Sequence, residues 1–283
     1  MADSVFDGPR LTKRDFDTLA SLIEKHAGIQ MPDNKRTMLE GRLRRRLKER
    51  KMESFAQYCR YLFEEGGLDE ELISLIDVVT TNKTEFFRES DHFDFLIQTV
   101  VPSLIERGIG IQRPLMVWSA GCSTGPEPYT LAMALSEIKI GTPSFQFHIL
   151  GTDISTHVLR AARKAIYTED MVEPIPMILR KRYLLRSIDR SARRIRIAPE
   201  IRGFVEFRRL NFMDADYHMP VMQDIVFCRN VIIYFNREVR QKVLGRICRH
   251  LSSGGYLFVG HAETLGDVDL PIRPSIPTVY QRL

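Results

Sequence analysis

Apolar residues fall into two rhythms along this chain. From Leu11 onward, Phe16, Leu19, Leu22 and Ile23 recur at the three-and-four spacing of one helix face. Pro32 and Asp33 then mark a second helix start, with Asp33 in a capping position. In that helix Leu39, Leu43 and Leu47 stand four apart and form a single stripe, while Arg42, Arg45 and Lys48 lie on other faces. Residues 53–63 and 68–79 continue as two more helices. No alternating strand and no Gly/Pro hairpin signal interrupts them, so residues 1–80 read as a small all-α domain. Near Leu115 the rhythm changes. LMVWSAG is a short apolar run ending in glycine, followed by Pro126 and a helical stretch to Ile138; FQFHILGTD repeats the scheme, with Asp153 at its end and a helix from Thr156. VEFRRLN, DIVFCRN and GYLFVG read as later strands, with a helix over 237–251 between the last two. Strands alternating with helices predict an α/β fold, a doubly wound and mostly parallel sheet, and 277–282 adds a final edge strand. RRIRIAP alternates charged and apolar residues, which predicts a small antiparallel β-subdomain inserted at about 183–202.

Composition narrows the class. A chain of 283 residues accommodates two domains, 44% hydrophobic residues supply a core, and 27% charged residues exclude a fibrous or disordered chain. Four dispersed cysteines without a CxxC pair indicate neither a zinc knuckle nor a disulfide framework, and favour a reducing, cytoplasmic location. MADSVFDGPR lacks the basic-then-apolar layout of a signal peptide, and no apolar run approaches the roughly 20 residues that span a bilayer. The net charge of +5 is concentrated: residues 35–51 carry a local +7 and residues 180–209 a local +8, on an otherwise acidic chain. Two such blocks predict docking surfaces for acidic partners. Aromatic stacking residues are scarce in the first block, which speaks against single-stranded nucleic acid.

In an open α/β sheet ligands bind beyond the carboxyl ends of the strands. The residues there are Ala120 to Gly125, Thr152-Asp153, Leu210-Asn211-Phe212 and Arg229-Asn230. The first loop is glycine-rich and opens a helix, yet no Lys-Ser/Thr follows as in a phosphate-cradling loop. Asp153 is placed to accept hydrogen bonds from ribose hydroxyls. Together they point to an adenosine-containing ligand without a pyrophosphate, and so to S-adenosylmethionine. A rival reading is open: Gly121-Cys122-Ser123-Thr124-Gly125 matches GxSxG, the nucleophile elbow of serine hydrolases, and Asp224 and His261 follow in the order of such enzymes. No metal is expected, because the histidines are scattered and His261-Ala262-Glu263 lacks partners at zinc spacing.

Five segments in order, TTNKTEFFRE at 80–89, SAGCSTGPEPY at 119–129, GTDIS at 151–155, FCRNVIIYF at 227–235 and GHAE at 260–263, resemble the CheR family of chemotaxis receptor methyltransferases. The resemblance covers most of the chain. It implies a helical receptor-docking domain (1–80), a linker contributing to the active site (81–100) and a methyltransferase domain (101–283) carrying the inserted β-subdomain. The activity implied is S-adenosylmethionine-dependent esterification of glutamates on methyl-accepting chemoreceptors, in adaptation during chemotaxis signalling, with S-adenosylhomocysteine as product. By the same resemblance Asn82, Thr84, Arg88, Glu127, Asp153, Asn211, Phe212, Arg229 and Asn230 hold the cofactor. Arg88 and Tyr234 act at the transferred methyl, and Arg42, Arg44, Arg45 and Arg46 face the receptor. A monomer that reaches the membrane only through its receptors is expected. A non-catalytic receptor-binding adaptor is the further alternative.

Overall fold

The computed structural model describes residues 10–283, and the chain divides into two compact units, one up to Thr81 and one from Asn82. The first nine residues, read above as no signal peptide and as the start of the helical domain, lie outside the described residues.

The first unit holds α1 (Lys13–Ala27), α2 (Arg36–Arg50), α3 (Phe55–Phe63) and α4 (Leu68–Val79). Thr12 caps α1 by accepting the Asp15 N–H, and Gly28 closes it at φ 72°. Asp33 does not cap α2, as the sequence suggested. It opens a 3-10 turn, Asp33–Lys35, and its carboxylate takes Lys13 Nζ at 2.7 Å. The stripe Leu39, Leu43 and Leu47 is buried against a core that includes Phe16, Leu19, Ile23, Phe55 and Leu75. Within that core lies one fully buried carboxylate, Glu71, which receives Arg46 Nε and Nη2 (2.7 Å each), Arg50 Nε (2.8 Å) and Tyr58 Oη (3.0 Å).

The second unit begins with α5 (Ser90–Phe95), a π-helical turn over Leu96–Val100 and α6 (Val101–Glu106). Then come β1 (Leu115–Ala120), α7 (Pro126–Gly141), β2 (Phe147–Asp153), α8 (Thr156–Lys164), β3 (Ile166–Thr168), α9 (Met177–Tyr183), β4 (Leu184–Arg186), β5 (Arg194–Ile197), α10 (Pro199–Arg202), β6 (Val205–Arg209), β7 (Gln223–Cys228), α11 (Arg237–His250), β8 (Leu251–Val259), β9 (Ile272–Ile276) and β10 (Val279–Arg282). The main sheet runs β6-β2-β1-β7-β8-β10-β9. Its pairings from β6 to β8 are parallel, and β10 and β9 are antiparallel. The strand order reverses between β1 and β7, which fixes a switch-point crevice at their carboxyl ends. From Asn82 on, the segment expected as a linker belongs to this unit: Phe86, Phe93, Leu96 and Val100 are buried in its core.

Two features differ from the sequence expectation. The terminal strand β10 is interior; β9, with Pro274 in the sheet margin where a missing N–H is tolerated, is the edge. The β-subdomain is a three-stranded sheet, β3-β5-β4, and not a bare hairpin. β3 is too short, at three residues, to show an alternation of its own.

Candidate active site

The turn after β1 packs closely against the segment that follows β7. Gly121 has φ 86°, and a Cβ there would meet Val231 Cγ2 at 2.5 Å, so a side chain is excluded on both counts. The N–H groups of Gly121 and Cys122 both donate to the Thr152 carbonyl at 2.8 Å, tying the β1 turn to the end of β2. Asp153 completes the tie: one carboxylate oxygen accepts the Ser123 N–H and the other the Ser155 N–H, both at 2.9 Å. Beyond β6, Asn211 Oδ1 accepts the Met213 N–H at 3.0 Å, and Phe212 lies edge-on to Tyr217 and Phe235.

The tip of β7 carries the densest electrostatics. Arg229 is buried against the stacked pair of Phe93 and Phe227, its guanidinium 5.5 and 5.7 Å from their centroids. Its Nη2 lies 3.3 Å from Glu89 and donates to the Arg88 carbonyl, and its Nε stands 3.6 Å from Glu127. Nε and Nη1 find no hydrogen-bond acceptor among the described residues. Glu127, in the first turn of α7, also accepts the Ser119 hydroxyl at 2.6 Å; burial pushes its carboxyl above the usual range. Asn230 sits in the left-handed region at φ 58°. Its N–H, together with that of Gly260 after β8, is held by one oxygen of Glu263 (2.8 and 2.7 Å), whose other oxygen takes the Ile233 N–H at 3.3 Å. Burial raises the Glu263 carboxyl as well.

The segment 82–89 closes on these tips. The Asn82 carbonyl accepts Ser123 Oγ at 3.0 Å. Phe87 and Glu89 both stand at φ 54°, an uncommon conformation for residues with a Cβ, and they flank Arg88. Arg88 is partly exposed, with Nε 4.0 Å from Glu89 and Nη1 3.4 Å from the Lys83 carbonyl. Thr84 is half-buried in the same segment, and Tyr234 is half-buried in the 3-10 turn Ile232–Tyr234 after β7. Sequence reasoning missed Glu89 and Glu263. Both lie in the quoted segments, but nothing in their spacing announced that one anchors Arg229 and the other three backbone amides.

The hydrolase reading fails on topology. Asp224 lies at the amino end of β7, where it chelates Arg113 (2.6 and 2.7 Å) and takes the Met116 N–H. Ser123 lies past the opposite end of β1, and Met116 to Ala120 alone spans about 13 Å at 3.3 Å per residue. His261 is bound to Asp91 at 3.0 Å. The fold gives His261 neighbours that its sequence spacing did not show: ligand-type atoms of Glu89, His92 and His261 lie within 4.8 Å of one another.

In the first unit the four arginines on α2 divide. Arg42 donates to the Val79 and Thr80 carbonyls, satisfying the open end of α4, and Arg46, its side chain 14% exposed, serves Glu71. Arg44 pairs with Glu40 at 2.7 Å. Arg45, 76% exposed and paired only laterally with Glu49, points outward beside exposed Lys48.

Residues 82–275 match a family model described as a methyltransferase S-adenosylmethionine binding domain, and with the switch-point crevice this defines the chain as an S-adenosylmethionine-dependent methyltransferase. The model is that of CheR methyltransferase, and residues 14–80 match the all-alpha domain of the same family. The chain is 37% identical over 275 residues to a chemotaxis protein methyltransferase of Borreliella burgdorferi, covering 96% of this chain and 95% of the relative. It is 36% identical over 269 residues to chemotaxis protein methyltransferase 2 of Pseudomonas aeruginosa (95% and 93%). To the chemotaxis protein methyltransferase of Escherichia coli (strain K12) it is 34% identical over 270 residues (95% and 91%). The chain belongs to the CheR methyltransferase family.

Proposed function

We propose that this methyltransferase esterifies glutamate side chains on the acidic, helical methylation regions of chemotaxis receptors, in the cytoplasm, reaching the membrane only through those receptors. The observation that carries the reading is Arg88: a partly exposed guanidinium at the crevice, on a backbone fixed by two left-handed residues and by the Arg229 contact to its carbonyl.

The residues fit the cofactor. Arg229 has buried donors to spare, and Asp153 presents its carboxylate at the end of β2. Asp153 would hold the ribose, and Asn211 and Phe212 would flank the adenine. Glu127, Arg229, Asn230, Asn82 and Thr84 would hold the remainder. When bound, S-adenosylmethionine supplies a sulfonium methyl that is electrophilic. The acceptor needs no general base, because a glutamate with a pKa of about 4.3 is ionised at neutral pH. What remains for the protein is to desolvate that carboxylate and aim one oxygen, which in favourable cases contributes roughly 7–11 kcal/mol. Arg88 is suited to the aiming by its planar fork, and Tyr234 to steering by its hydroxyl. Receptor docking falls to the outward face of α2, with Arg45 and Lys48 foremost and Arg44 beside them. Arg42 and Arg46, expected to share that role, have the internal partners described above.

The test is transfer of labelled methyl from S-adenosylmethionine to receptor-containing membranes. Label released by mild base as methanol is the expected result. Label that resists base, or that appears only on basic residues, would overturn the ester reading.

A further inference from the structure

Beside the cofactor crevice lies a cluster that methyl transfer does not use. His92 is fully buried; its Nε2 is engaged by Thr278 Oγ1 at 2.8 Å, and its Nδ1 has no hydrogen-bond partner. That nitrogen faces Glu89 Oε2 at 3.6 Å, a second buried atom without a hydrogen-bond partner. The His261 ring meets the His92 ring edge-to-face at 4.9 Å, and its own Nε2 is held by Asp91 at 3.0 Å. With donors of all three residues within 4.8 Å, we infer that Glu89, His92 and His261 form a site for one divalent transition-metal ion of the zinc class, and that such an ion competes with Arg229 for Glu89.

The ligand chemistry supports this in three ways. Two ligands about 2.0–2.1 Å from a tetrahedral zinc stand about 3.4 Å apart, close to the separation of His92 Nδ1 from Glu89 Oε2. Each histidine has an oxygen partner on one ring nitrogen, Thr278 or Asp91, leaving the other nitrogen as the ligand. Such outer partners orient metal-binding imidazoles. Two imidazoles and one carboxylate suit zinc and its neighbours rather than magnesium or calcium, which take oxygen. Half-exposed His261 provides the way in.

The competition follows from a shared atom. Glu89 Oε2 lies 3.3 Å from Arg229 Nη2, so an ion on that oxygen places a second positive charge against the guanidinium. This second half rests on the placing of Arg229 in the cofactor pocket; the binding itself does not. The test titrates the full-length protein with zinc chloride against a chromophoric zinc indicator. One zinc per chain is expected, with His261→Ala weakening it by about 100-fold and Asp91→Asn by about 10- to 100-fold, and with no displacement by excess magnesium. Zinc bound equally by wild type and His261→Ala, or not bound by wild type, overturns the site. Calorimetry with S-adenosylhomocysteine then reads the coupling: saturating zinc weakens its binding by about tenfold or more in wild type and leaves His261→Ala unmoved. Unchanged affinity in wild type overturns the competition.

Discussion

Replacing Glu263 by glutamine isolates the contribution of one buried carboxylate to the whole crevice. Glu263 is 3% exposed and holds the amides of Asn230, Gly260 and Ile233. Glutamine has a single acceptor oxygen, and its NH2 can only donate. Whichever way the amide turns, at least one buried N–H then faces another donor, at a cost of about 1–3 kcal/mol. The bonds that survive change from charge-assisted to neutral, losing about 1 kcal/mol each. Relief of the buried charge, the same burial that raises the Glu263 carboxyl, returns part of this. The net loss is about 2–4 kcal/mol. It falls on the turn that holds Asn230 at φ 58°, a conformation that persists only while its surroundings enforce it. At 1.4 kcal/mol per tenfold, even half of the loss weakens cofactor binding by about tenfold. Calorimetry with S-adenosylhomocysteine and thermal unfolding of the same sample measure the two effects. A Glu263→Gln protein with unchanged melting and with affinity within about twofold of wild type would refute the pinning role.

Further outcomes test the other assignments. Arg88→Ala should lower turnover by about 100-fold while S-adenosylhomocysteine affinity changes only a few-fold; unaltered turnover in single-cycle methylation removes Arg88 from the mechanism. Ser123→Ala should retain most activity, since its hydroxyl makes one hydrogen bond, to Asn82, worth about 1 kcal/mol. Arg45→Glu should slow methylation of receptor membranes several-fold at low salt and much less at high salt, and a salt-independent defect would point away from docking. Glu71→Gln should destabilise the helical unit by about 3 kcal/mol, the low end for a broken buried pair, because Arg46 and Arg50 retain Glu49 and Glu70. Burial alone would raise the Glu71 carboxyl, but hydrogen bonds from Arg46, Arg50 and Tyr58 outweigh it and hold the value below 4.5. Its stabilisation is therefore complete above that value and lost as pH falls through the depressed one. Hydrogen exchange of the α2 amides between pH 3 and 6 should show that acid loss in wild type and not in the variant.

Periodicity carried the helices of the first unit and the parallel strands well, because each buries one face or a whole short run against a core. It did not carry β3, which takes its place from pairing with β5, nor the edge position of β9, which depends on where the chain returns after α11. Asp33 misled for a local reason: its carboxylate is drawn to Lys13, and a 3-10 turn opens the helix instead. The strand-end rule located Asp153, Arg229 and Asn230, since topology alone puts them at the switch point. The partners of those residues were not legible. Glu89 lies 140 residues from Arg229, which it flanks, and Glu263 lies 33 residues from Asn230, whose amide it holds, and their roles exist only once the fold closes. The same holds for Arg42 and Arg46, whose spacing on α2 resembled a docking face until the carbonyls of α4 and the carboxylate of Glu71 were seen to claim them.

The two arginines of the crevice are held in opposite ways, and the difference matches the proposed division between holding the cofactor and orienting an acceptor carboxylate. Arg229 packs against the stacked rings of Phe93 and Phe227, is flanked by Glu89 and Glu127, and is joined to the Arg88 carbonyl. So fixed, a guanidinium loses little freedom when it takes a further acceptor, which suits a ligand that must stay seated through the reaction. Among the described residues, Arg88, 35% exposed, makes a long contact to Lys83 and a marginal one to Glu89. Water screens such a cation, so it binds a carboxylate weakly in the ground state and strengthens as the acceptor enters and the solvent leaves. Catalysis benefits only from interactions that grow toward the transition state. A rigid, buried cation at Arg88 would instead hold the proposed glutamate acceptor too well and draw charge from the oxygen that must attack.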